Sequence, residues 1–429
     1  MRARIKHHLS STFFKNFYIV LSGSVLSQVV VIFTTPILSR IFTPEDFGSA
    51  SVFFSLSGFF TILSTLQYEG AIMLPKRNID ALALVVLSSV LSVVSAMLLF
   101  FGLWMGHETL LGWFHMEALN RFWALIPIAV LIYAHYAILT NWVTRLSQYK
   151  TVAYRQFFQS VSQTLTKIIL GKLNYLTTGL IVGTIMGVIS SLLILMKGRF
   201  RDIVRVYKLV RWNRIKHNAK RYEKFPKYTL SQGLLDTFQE SILWMMISLL
   251  YGNQLLGIFS FTLSLLQKPL QVIGNSLSQV YYQDISKKYA HHQEIHSDTI
   301  RLVKLLLMAG ALVYIPVVWM GPWLFDFFFG DVWRESGELA QMMAVWLVLK
   351  MISSPISSVP NVTGHQRAYF VYTLVMNLIP LGIFAGGYFL KIDFHQVVFI
   401  NYIILTIFLA FYIRWILKLT RLSKNRIGA

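Results

Sequence analysis

The stretch ALALVVLSSVLSVVSAMLLFFGLWM, residues 81–105, contains no charged side chain. As a helix rising about 1.5 Å per residue, it is long enough to cross the roughly 30 Å hydrocarbon core of a bilayer. Lys76 and Arg77 stand just before it, and basic residues beside a membrane helix favour the cytoplasmic side. The stretch therefore predicts a membrane-spanning helix that enters the bilayer from the cytoplasm.

Eleven other stretches are of similar length and similarly poor in charge. The twelve predicted spans are residues 17–39, 47–74, 81–105, 122–143, 152–171, 174–196, 228–251, 255–279, 300–321, 339–362, 367–390 and 394–417. The fifth is the least hydrophobic, and the topology requires it. Only 13% of the 429 residues are charged, about half the share in a soluble domain. We therefore expect an all-α, polytopic membrane protein with about twelve transmembrane helices.

Basic residues alternate from one gap between spans to the next. Thirty-one of the 39 Lys and Arg residues lie in the two tails and in every second gap. Because Lys and Arg resist translocation, we expect both termini to lie in the cytoplasm. The net charge of +21 then follows from the topology and suits anionic membrane lipids. Nucleic acid binding is not expected.

The longest connection between spans, residues 197–227, holds twelve of the basic residues. It separates two predicted six-helix lobes, residues 1–196 and 228–429. Its apolar residues Ile203, Val206, Tyr207 and Val210 share one helical face. The connection is either a short interfacial helix on the inner leaflet or a solvated basic linker.

The two lobes resemble one another at the turn that joins their first two helices. Phe47-Gly48 and Leu256-Gly257 occupy equivalent positions, at an offset of 209 residues. Six spans per lobe, an even number, predict repeats that run parallel to one another, which is a common plan for transporters.

Charged side chains inside a membrane span are costly and mark functional sites. Asp236 and Glu240 in the seventh span are four residues apart and therefore share a helical face, and we predict that they couple an ion. The predicted substrate-binding residues are polar side chains of other spans: Lys268, Lys350, Arg155, Lys167, Gln28, Gln163, Gln271 and Asn275. Several of them lie about 16 Å from the inner end of their helix. This depth predicts a hydrated central cavity between the lobes.

Each of these residues also has a purely structural interpretation. Gln and Asn often serve only to join membrane helices by hydrogen bonds. Glu240 and Lys268, on antiparallel neighbouring helices, would form an ion pair that is either functional or structural. Lys167 and Arg155 are close enough to helix ends to snorkel. Glu69 would pair with the cations at residues 76 and 77.

The residues of an enzyme or a metal centre are not recognisable. The chain has no Cys, which excludes disulfides and thiolate chemistry, and it has no P-loop motif for ATP hydrolysis. His291, His292 and His296 belong to a metal site or, as we prefer, to a solvated loop. We expect no cofactor, no metal and no enzymatic activity.

Four segments carry a family resemblance: PILSRIFTPEDFG at 36–48, YEGAIMLPK at 68–76, FPKY at 225–228 and PLQVIGNSLSQVYYQ at 269–283. They resemble bacterial polysaccharide-biosynthesis proteins, the oligosaccharide-lipid flippases that include the O-antigen translocases. These flippases belong to the multidrug, oligosaccharidyl-lipid and polysaccharide exporter superfamily. The number of spans extends the resemblance over nearly the whole chain.

The resemblance implies that an undecaprenyl-pyrophosphate-linked oligosaccharide is moved across the bacterial inner membrane by alternating access. An H⁺ or Na⁺ gradient would drive this movement, and a polysaccharide polymerase complex would be a partner. Lys268 and Lys350 would contact the anionic head group, while Asp236 and Glu240 would couple the ion.

Two rival functions stay open. Export of small drugs, as in the related extruders, would favour an acidic and aromatic cavity over one with several lysines. A membrane polymerase or lipid-linked glycosyltransferase usually needs a large loop on the side of its reaction. The one long loop of this chain is instead predicted to be cytoplasmic.

Overall fold

The computed structural model describes residues 2–113, 120–197, 210–291 and 293–427. These residues form twelve long helices joined by short connections, and the described part contains no β-strand. The long helices, numbered in chain order, are α1 Arg2–Ile41, α2 Pro44–Thr65, α3 Asn78–Trp113, α4 Leu125–Arg145, α5 Tyr149–Lys172, α6 Leu176–Met196, α7 Leu230–Tyr251, α8 Asn253–Ala290, α9 His296–Phe329, α10 Arg334–Ile356, α11 Gln366–Phe389 and α12 Phe394–Ile427. Shorter helical turns are Tyr68–Ala71, Trp212–Arg221, Phe225–Thr229, Asp331–Trp333 and Val359–Val362. The predicted all-α fold is confirmed.

Nine helices among the described residues are long and apolar enough to cross a membrane. The three other long helices are α5, α7 and α8, which carry Arg155, Glu240 and Lys268 among their polar residues. These three helices hold most of the predicted site residues, and several side chains of α7 and α8 lie outside the described residues. The polytopic character of the chain is confirmed, and membrane crossing by α5, α7 and α8 remains a prediction.

Several helices run past the ends predicted from hydropathy. Helix α8 continues to Ala290 rather than ending near residue 279, and α12 continues to Ile427 rather than ending near 417. Backbone hydrogen bonds continue a helix beyond the bilayer, whereas hydropathy marks only the part that fits the hydrocarbon.

The predicted second span, residues 47–74, is wrong at its far end. Helix α2 ends at Thr65, and Leu66 and Gln67 follow with φ angles of 50° and 61°. These values lie in the left-handed region, which cannot continue a right-handed helix. The short turn Tyr68–Ala71 comes next. The apolar character of residues 71–74 hides this bend from a hydropathy reading.

The chain folds into two compact units. One consists of Met1–Phe42 with Ser49–Met245, and the other of Thr43–Gly48 with Met246–Ala429. Helices α2 and α7 therefore each contribute residues to both units. The lobe boundaries at residues 196 and 228 remain a prediction.

The central connection packs against the first unit where it is described. Residues 198–209, which include Ile203, Val206 and Tyr207 of the predicted apolar face, lie outside the described residues. Val210 and Ile215 are buried against Ala83 and Val86 of α3. The helix Trp212–Arg221 is thus docked on protein by its apolar side, and its basic residues face outward.

Helices α5 and α6 approach closely along a stripe of glycines in the first unit. Gly179, Gly183 and Gly187 of α6 are spaced four residues apart and share one face. A Cβ added to Gly187 would lie 2.7 Å from Gln163 Cβ, and one added to Gly183 would lie 3.1 Å from the backbone nitrogen of Lys167. Only glycine permits this separation, and small residues of this kind are typical of membrane helix interfaces.

In the second unit, the first residues of α2 pack against the start of α8. A Cβ added to Gly48 would lie 3.0 Å from the backbone nitrogen of Gly257, and one added to Gly257 would lie 3.0 Å from that of Gly48. Phe47 meets Phe261 and the buried Trp333 edge-on, with ring centroids 5.3 Å apart in both pairs. The two glycines that are equivalent in the sequence repeat are therefore in direct backbone contact.

Candidate functional site

The predicted site residues are distributed over both units. The first unit holds Gln28, Arg155, Gln163, Lys167 and Glu240, and the second holds Lys268 and Lys350. The side chains of Asp236, Gln271 and Asn275 lie outside the described residues. The cavity between the lobes remains a prediction. So does the Glu240–Lys268 ion pair, which would join residues of different units.

Lys350 lies beside an aromatic ring on its own helix. Its Nζ is 4.5 Å from the centroid of the Trp346 ring, one turn earlier on α10. Trp346 is buried and packs against Tyr402 of α12, with ring centroids 5.0 Å apart. A cation over an aromatic face is stabilised by the ring quadrupole. The ammonium group is thereby held at a defined position in the second unit.

Two polar atoms are buried on Trp346 and on Asn401, the residue before Tyr402. The Nε1 of Trp346 and the Oδ1 of Asn401 are enclosed and make no hydrogen bond within the described part of the chain. Burying such groups without a partner is unfavourable.

Four aromatic residues of α11 and α12 form a cluster in the same unit. Tyr372 stacks on Trp415 with ring centroids 5.0 Å apart and an interplanar angle of 28°. Tyr412 contacts both rings, at 5.4 Å and 5.9 Å, and Tyr369 completes the group. Aromatic faces with polar edges suit sugar rings. Sequence reasoning did not single out this cluster, although both helices carry two aromatic residues at three-residue spacing.

Glu240 lines a small cleft between α2 and α7 within the first unit. The cleft has a volume of about 290 Å³, and four hydroxyl groups line it, from Ser51, Ser55, Thr237 and Ser241. Ser241 Oγ donates to the carbonyl oxygen of Ser55 at 3.2 Å. The Ser55 hydroxyl is buried without a hydrogen-bond partner among the described residues. Carboxylate and hydroxyl oxygens are the ligands that hard cations prefer.

Arg155 is enclosed by protein rather than extended toward a helix end. Only 6% of its surface is exposed. Its guanidinium group donates a hydrogen bond to the Tyr136 hydroxyl and lies 4.8 Å from the centroid of that ring. The snorkelling interpretation is therefore wrong for Arg155, because Tyr136 of α4 holds the charge inside the unit.

Gln163 and Lys167 contact the glycine stripe of α6. Gln163 Cβ packs over Gly187, and Lys167 Cγ packs over Gly183. The stems of both side chains thus take part in helix packing. Gln28 of α1 is half-buried, and its Oε1 has no hydrogen-bond partner within the described part of the chain.

Arg145 holds the connection that follows α2. Its Nη1 donates to the carbonyl oxygens of Ile72 and Met73, both at 3.1 Å, and its Nη2 donates to that of Pro75 at 2.6 Å. Its Nε donates to Asn78 Oδ1 at 3.3 Å. The sequence marked Arg145 only as a topological signal, because backbone acceptors leave no trace in a sequence.

Glu69 is buried beside this connection. It is 8% exposed, and the described residues contain no ion pair to it. The predicted pairing of Glu69 with the cations at residues 76 and 77 is therefore wrong. Lys76 and Arg77 are exposed, because the bend turns their side chains toward solvent.

His395 of the second unit lies close to three carboxylates, two from α10 and one from the residue just before α12. Its Nε2 is 3.1 Å from Glu335 Oε1 and 3.9 Å from Glu338 Oε2, and its Nδ1 is 3.6 Å from Asp393 Oδ2. This cluster joins the starts of α10 and α12. Among the described residues, no group of three His, Asp or Glu side chains could hold a metal ion. His292 of the predicted alternative lies outside them.

The chain matches a family model described as polysaccharide biosynthesis protein over residues 37–338. None of the curated protein sequences matches it significantly.

Several solved transporters have a similar fold. A point mutant of the Vibrio cholerae MATE transporter VcmN is 12% identical, with 99% of each chain covered and a TM-score of 0.63. A MOP superfamily transporter from Pyrococcus furiosus, described as having a binding pocket of reverse polarity, is 12% identical, with 96% of each chain covered and a TM-score of 0.61. An inward-facing multidrug resistance MATE transporter is 14% identical, with 96% of this chain and 94% of that chain covered and a TM-score of 0.60. At these identities the likeness shows the fold.

Proposed function

Because this chain belongs to the family of polysaccharide biosynthesis proteins and has the fold of a multi-pass transporter, we propose that it is a flippase for lipid-linked oligosaccharides. The inferred substrate is an undecaprenyl-pyrophosphate-linked repeat unit. The inferred route runs from the inner to the outer leaflet of the bacterial inner membrane, with both termini cytoplasmic. The observation that supports this most is the family match over residues 37–338. Transport rather than enzymatic catalysis is the proposed activity.

The physical problem is to carry a pyrophosphate and several sugars across about 30 Å of hydrocarbon. Cations within the membrane would offset the phosphate charge. Lys350 and Lys268 are the residues to which we assign this contact. The position of Lys350 over Trp346 supports the assignment, because a fixed ammonium group loses little freedom on binding an anion.

Sugar rings would be bound by aromatic faces and amide groups. The cluster of Tyr369, Tyr372, Tyr412 and Trp415 offers such faces in the second unit. Amide side chains of Gln28, Gln163, Gln271 and Asn275 are the proposed hydrogen-bonding groups along the path. Arg155 and Lys167 complete the cationic lining that we propose.

The energy for directional transport would come from an H⁺ or Na⁺ gradient, with Glu240 and Asp236 as the coupling acids. The hydroxyl-lined cleft at Glu240 supports this role, because it offers oxygen ligands beside a carboxylate. Alternating access would expose the path to each side in turn. A polysaccharide polymerase complex is the proposed partner that receives the product.

The test is transport by the purified protein in liposomes that contain a fluorescent undecaprenyl-pyrophosphate oligosaccharide. The fraction of label accessible from outside is followed with time, under imposed proton or sodium gradients. We expect accessible label to change only with the protein present and faster under one of the gradients. Failure to move the saccharide, together with drug resistance in cells that express the protein, would instead indicate a drug exporter.

A further inference from the structure

We propose that Glu69 is a proton-binding site of this transporter. Its carboxyl group would hold a proton while the bend between α2 and α3 is closed, as in the structure, and would release the proton when the bend opens to water. This proposal rests on the proposed gradient-driven transport and names the proton as the coupling ion. It places proton binding at a residue distinct from Asp236 and Glu240.

The surroundings of Glu69 disfavour a negative charge. The residue is 8% exposed. Thr65 and the backbone N–H of Glu69 itself supply hydrogen bonds to the carboxyl group, but Oε2 is buried without a hydrogen-bond partner among the described residues. A buried carboxylate without a cation is far more costly than the neutral acid.

Several charged groups on the neighbouring elements are engaged elsewhere. Arg145 of α4 donates to carbonyl oxygens and to Asn78. Asp80 of α3 pairs with Arg214 at 3.7 Å. After the helix Trp212–Arg221, Lys227 pairs with Glu223 at 3.0 Å.

Among the described residues, no ion pair joins a cation to Glu69, and burial raises the pKa of its carboxyl group above the ordinary value. The sign of the coupling follows from this shift. A group that binds its proton more tightly in the closed bend favours closure as the pH falls and opening as the pH rises.

The bend that encloses Glu69 is strained and is held from several sides. Leu66 and Gln67 adopt φ angles of 50° and 61°, which side chains with a Cβ rarely adopt. The Tyr68 hydroxyl donates to the Ala219 carbonyl oxygen at 3.0 Å, and the Phe225 ring lies over Gly70. Strained backbone of this kind is found where an element switches between two arrangements.

The two segments that meet here are far apart in the chain. Tyr68 and Gly70 belong to the segment 68–76, and Phe225 to the segment 225–228. Their contact packs the segment 225–228 against the bend that contains Glu69. Binding of one proton would convert a carboxylate that needs water into a neutral acid that the closed bend accommodates.

Infrared difference spectroscopy of the reconstituted protein tests proton binding without any transport assay. During a pH titration, the wild type is expected to show the carbonyl band of a buried protonated carboxyl group, which disappears as the pH rises above the ordinary range for Glu. Glu69→Gln should remove this band, and Glu223→Gln, at an exposed acid near the bend, should leave it. A band that persists in Glu69→Gln would overturn the proposal.

Hydrogen–deuterium exchange of the wild type tests the bend without any variant. The rate of amide exchange in residues 66–75 is corrected for its intrinsic pH dependence. The corrected rate should rise as the pH rises through the midpoint of the infrared titration, the pH at which half of the carboxyl band has disappeared. Corrected exchange that stays constant across that midpoint would contradict coupling between the proton and the bend.

A transport assay distinguishes failure of the Glu69 proposal from failure of the proposed function. A proton gradient of one pH unit is expected to change the wild-type rate by up to about tenfold and the Glu69→Gln rate by less than about twofold. Exchange of labelled substrate without a gradient should persist in the variant. Full gradient dependence in Glu69→Gln would sink the role of Glu69, whereas a wild type that moves no saccharide would sink the proposed function and leave the infrared result to decide on Glu69.

Discussion

Gly48 and Gly257 lie back to back, and neither position has room for a Cβ. Each added Cβ would lie 3.0 Å from the backbone nitrogen of the other glycine and closer still to a carbonyl group, that of Asn253 for Gly48 and that of Pro44 for Gly257. The two glycines are separated by 209 residues and hold equivalent places in the sequence repeat. The contact between them is therefore one element of the repeat packed against its own copy.

Gly48→Ala and Gly257→Ala are each expected to destabilise the protein by about 1–3 kcal/mol, because backbone must move to admit a methyl group. The measurement is the midpoint of thermal unfolding in detergent. Gly102→Ala on α3 is the matched control, since a Cβ there meets nothing within 4 Å. Equal unfolding midpoints for all three variants would contradict the prediction, because they would show that the backbone at the start of α2 moves at little energetic cost.

Arg145→Ala is expected to loosen residues 66–78 through the loss of four hydrogen bonds from one guanidinium group. Bonds to charged groups contribute about 1.5–3 kcal/mol each at most, and partial exposure of Arg145 lowers this figure. Faster amide exchange in this segment is the readout. Arg145→Lys should protect only partly, because one ammonium group cannot reach all four acceptors. If amide protection of residues 66–78 in Arg145→Ala equals that of the wild type, Arg145 does not hold this segment in place.

Lys350→Gln is expected to reduce saccharide transport by at least about tenfold, the equivalent of 1.4 kcal/mol of lost phosphate contact. Lys350→Arg should retain part of the rate, because the positive charge over Trp346 is preserved. Transport is measured in liposomes at matched protein content. Lys418→Gln, at an exposed position on α12, controls for loss of one positive charge. A normal rate for Lys350→Gln would remove Lys350 from the binding path.

Lys288 should stabilise the junction between α8 and α9 until strongly alkaline pH. Its Nζ lies 2.7 Å from both Asp284 Oδ2 and Asp298 Oδ2, and hydrogen bonds to these two carboxylates raise the pKa of Lys288 above its ordinary value. A raised lysine pKa gives stability that is complete below the ordinary value and disappears as the pH rises through the raised one.

The difference in thermal midpoint between wild type and Lys288→Met tests this coupling. The difference should be constant near neutral pH and shrink only above about 10.5. Partial exposure of all three side chains limits the effect to about 0.2–1 kcal/mol. Lys304→Met, at an exposed site on α9, should show no such trend. A difference that shrinks already at neutral pH would contradict the coupling.

The long helices followed from the sequence because hydrophobic length acts locally, so that residues 81–105 predict α3 without knowledge of any neighbour. The end of α2 did not follow, because the left-handed conformation of Leu66 and Gln67 leaves no mark in the local hydropathy. The guanidinium group of Arg145 donates hydrogen bonds to backbone carbonyl oxygens 70 to 73 positions away. No side-chain pattern records such acceptors.

In the candidate site too, contacts between residues close in sequence could be predicted, whereas contacts between different helices could not. The position of Lys350 over Trp346 depends on two residues one turn apart, and their spacing is visible in the sequence. The packing of Gln163 and Lys167 over α6 depends on which face of α5 meets the glycines, and depth along a helix does not reveal this. Polar residues at similar depth therefore include both helix-packing side chains and candidates for substrate contact.

The glycine stripe of α6 bears on how the protein is assembled in the membrane. Helix α5 has too little apolar surface to enter lipid favourably alone, whereas α6 is strongly apolar. Only the three residues 173–175 separate them, and Gly179, Gly183 and Gly187 let the backbone of α5 rest directly on α6. During biosynthesis the two helices would consequently enter the bilayer as a preformed hairpin, so that α5 depends for its insertion on the segment translated after it.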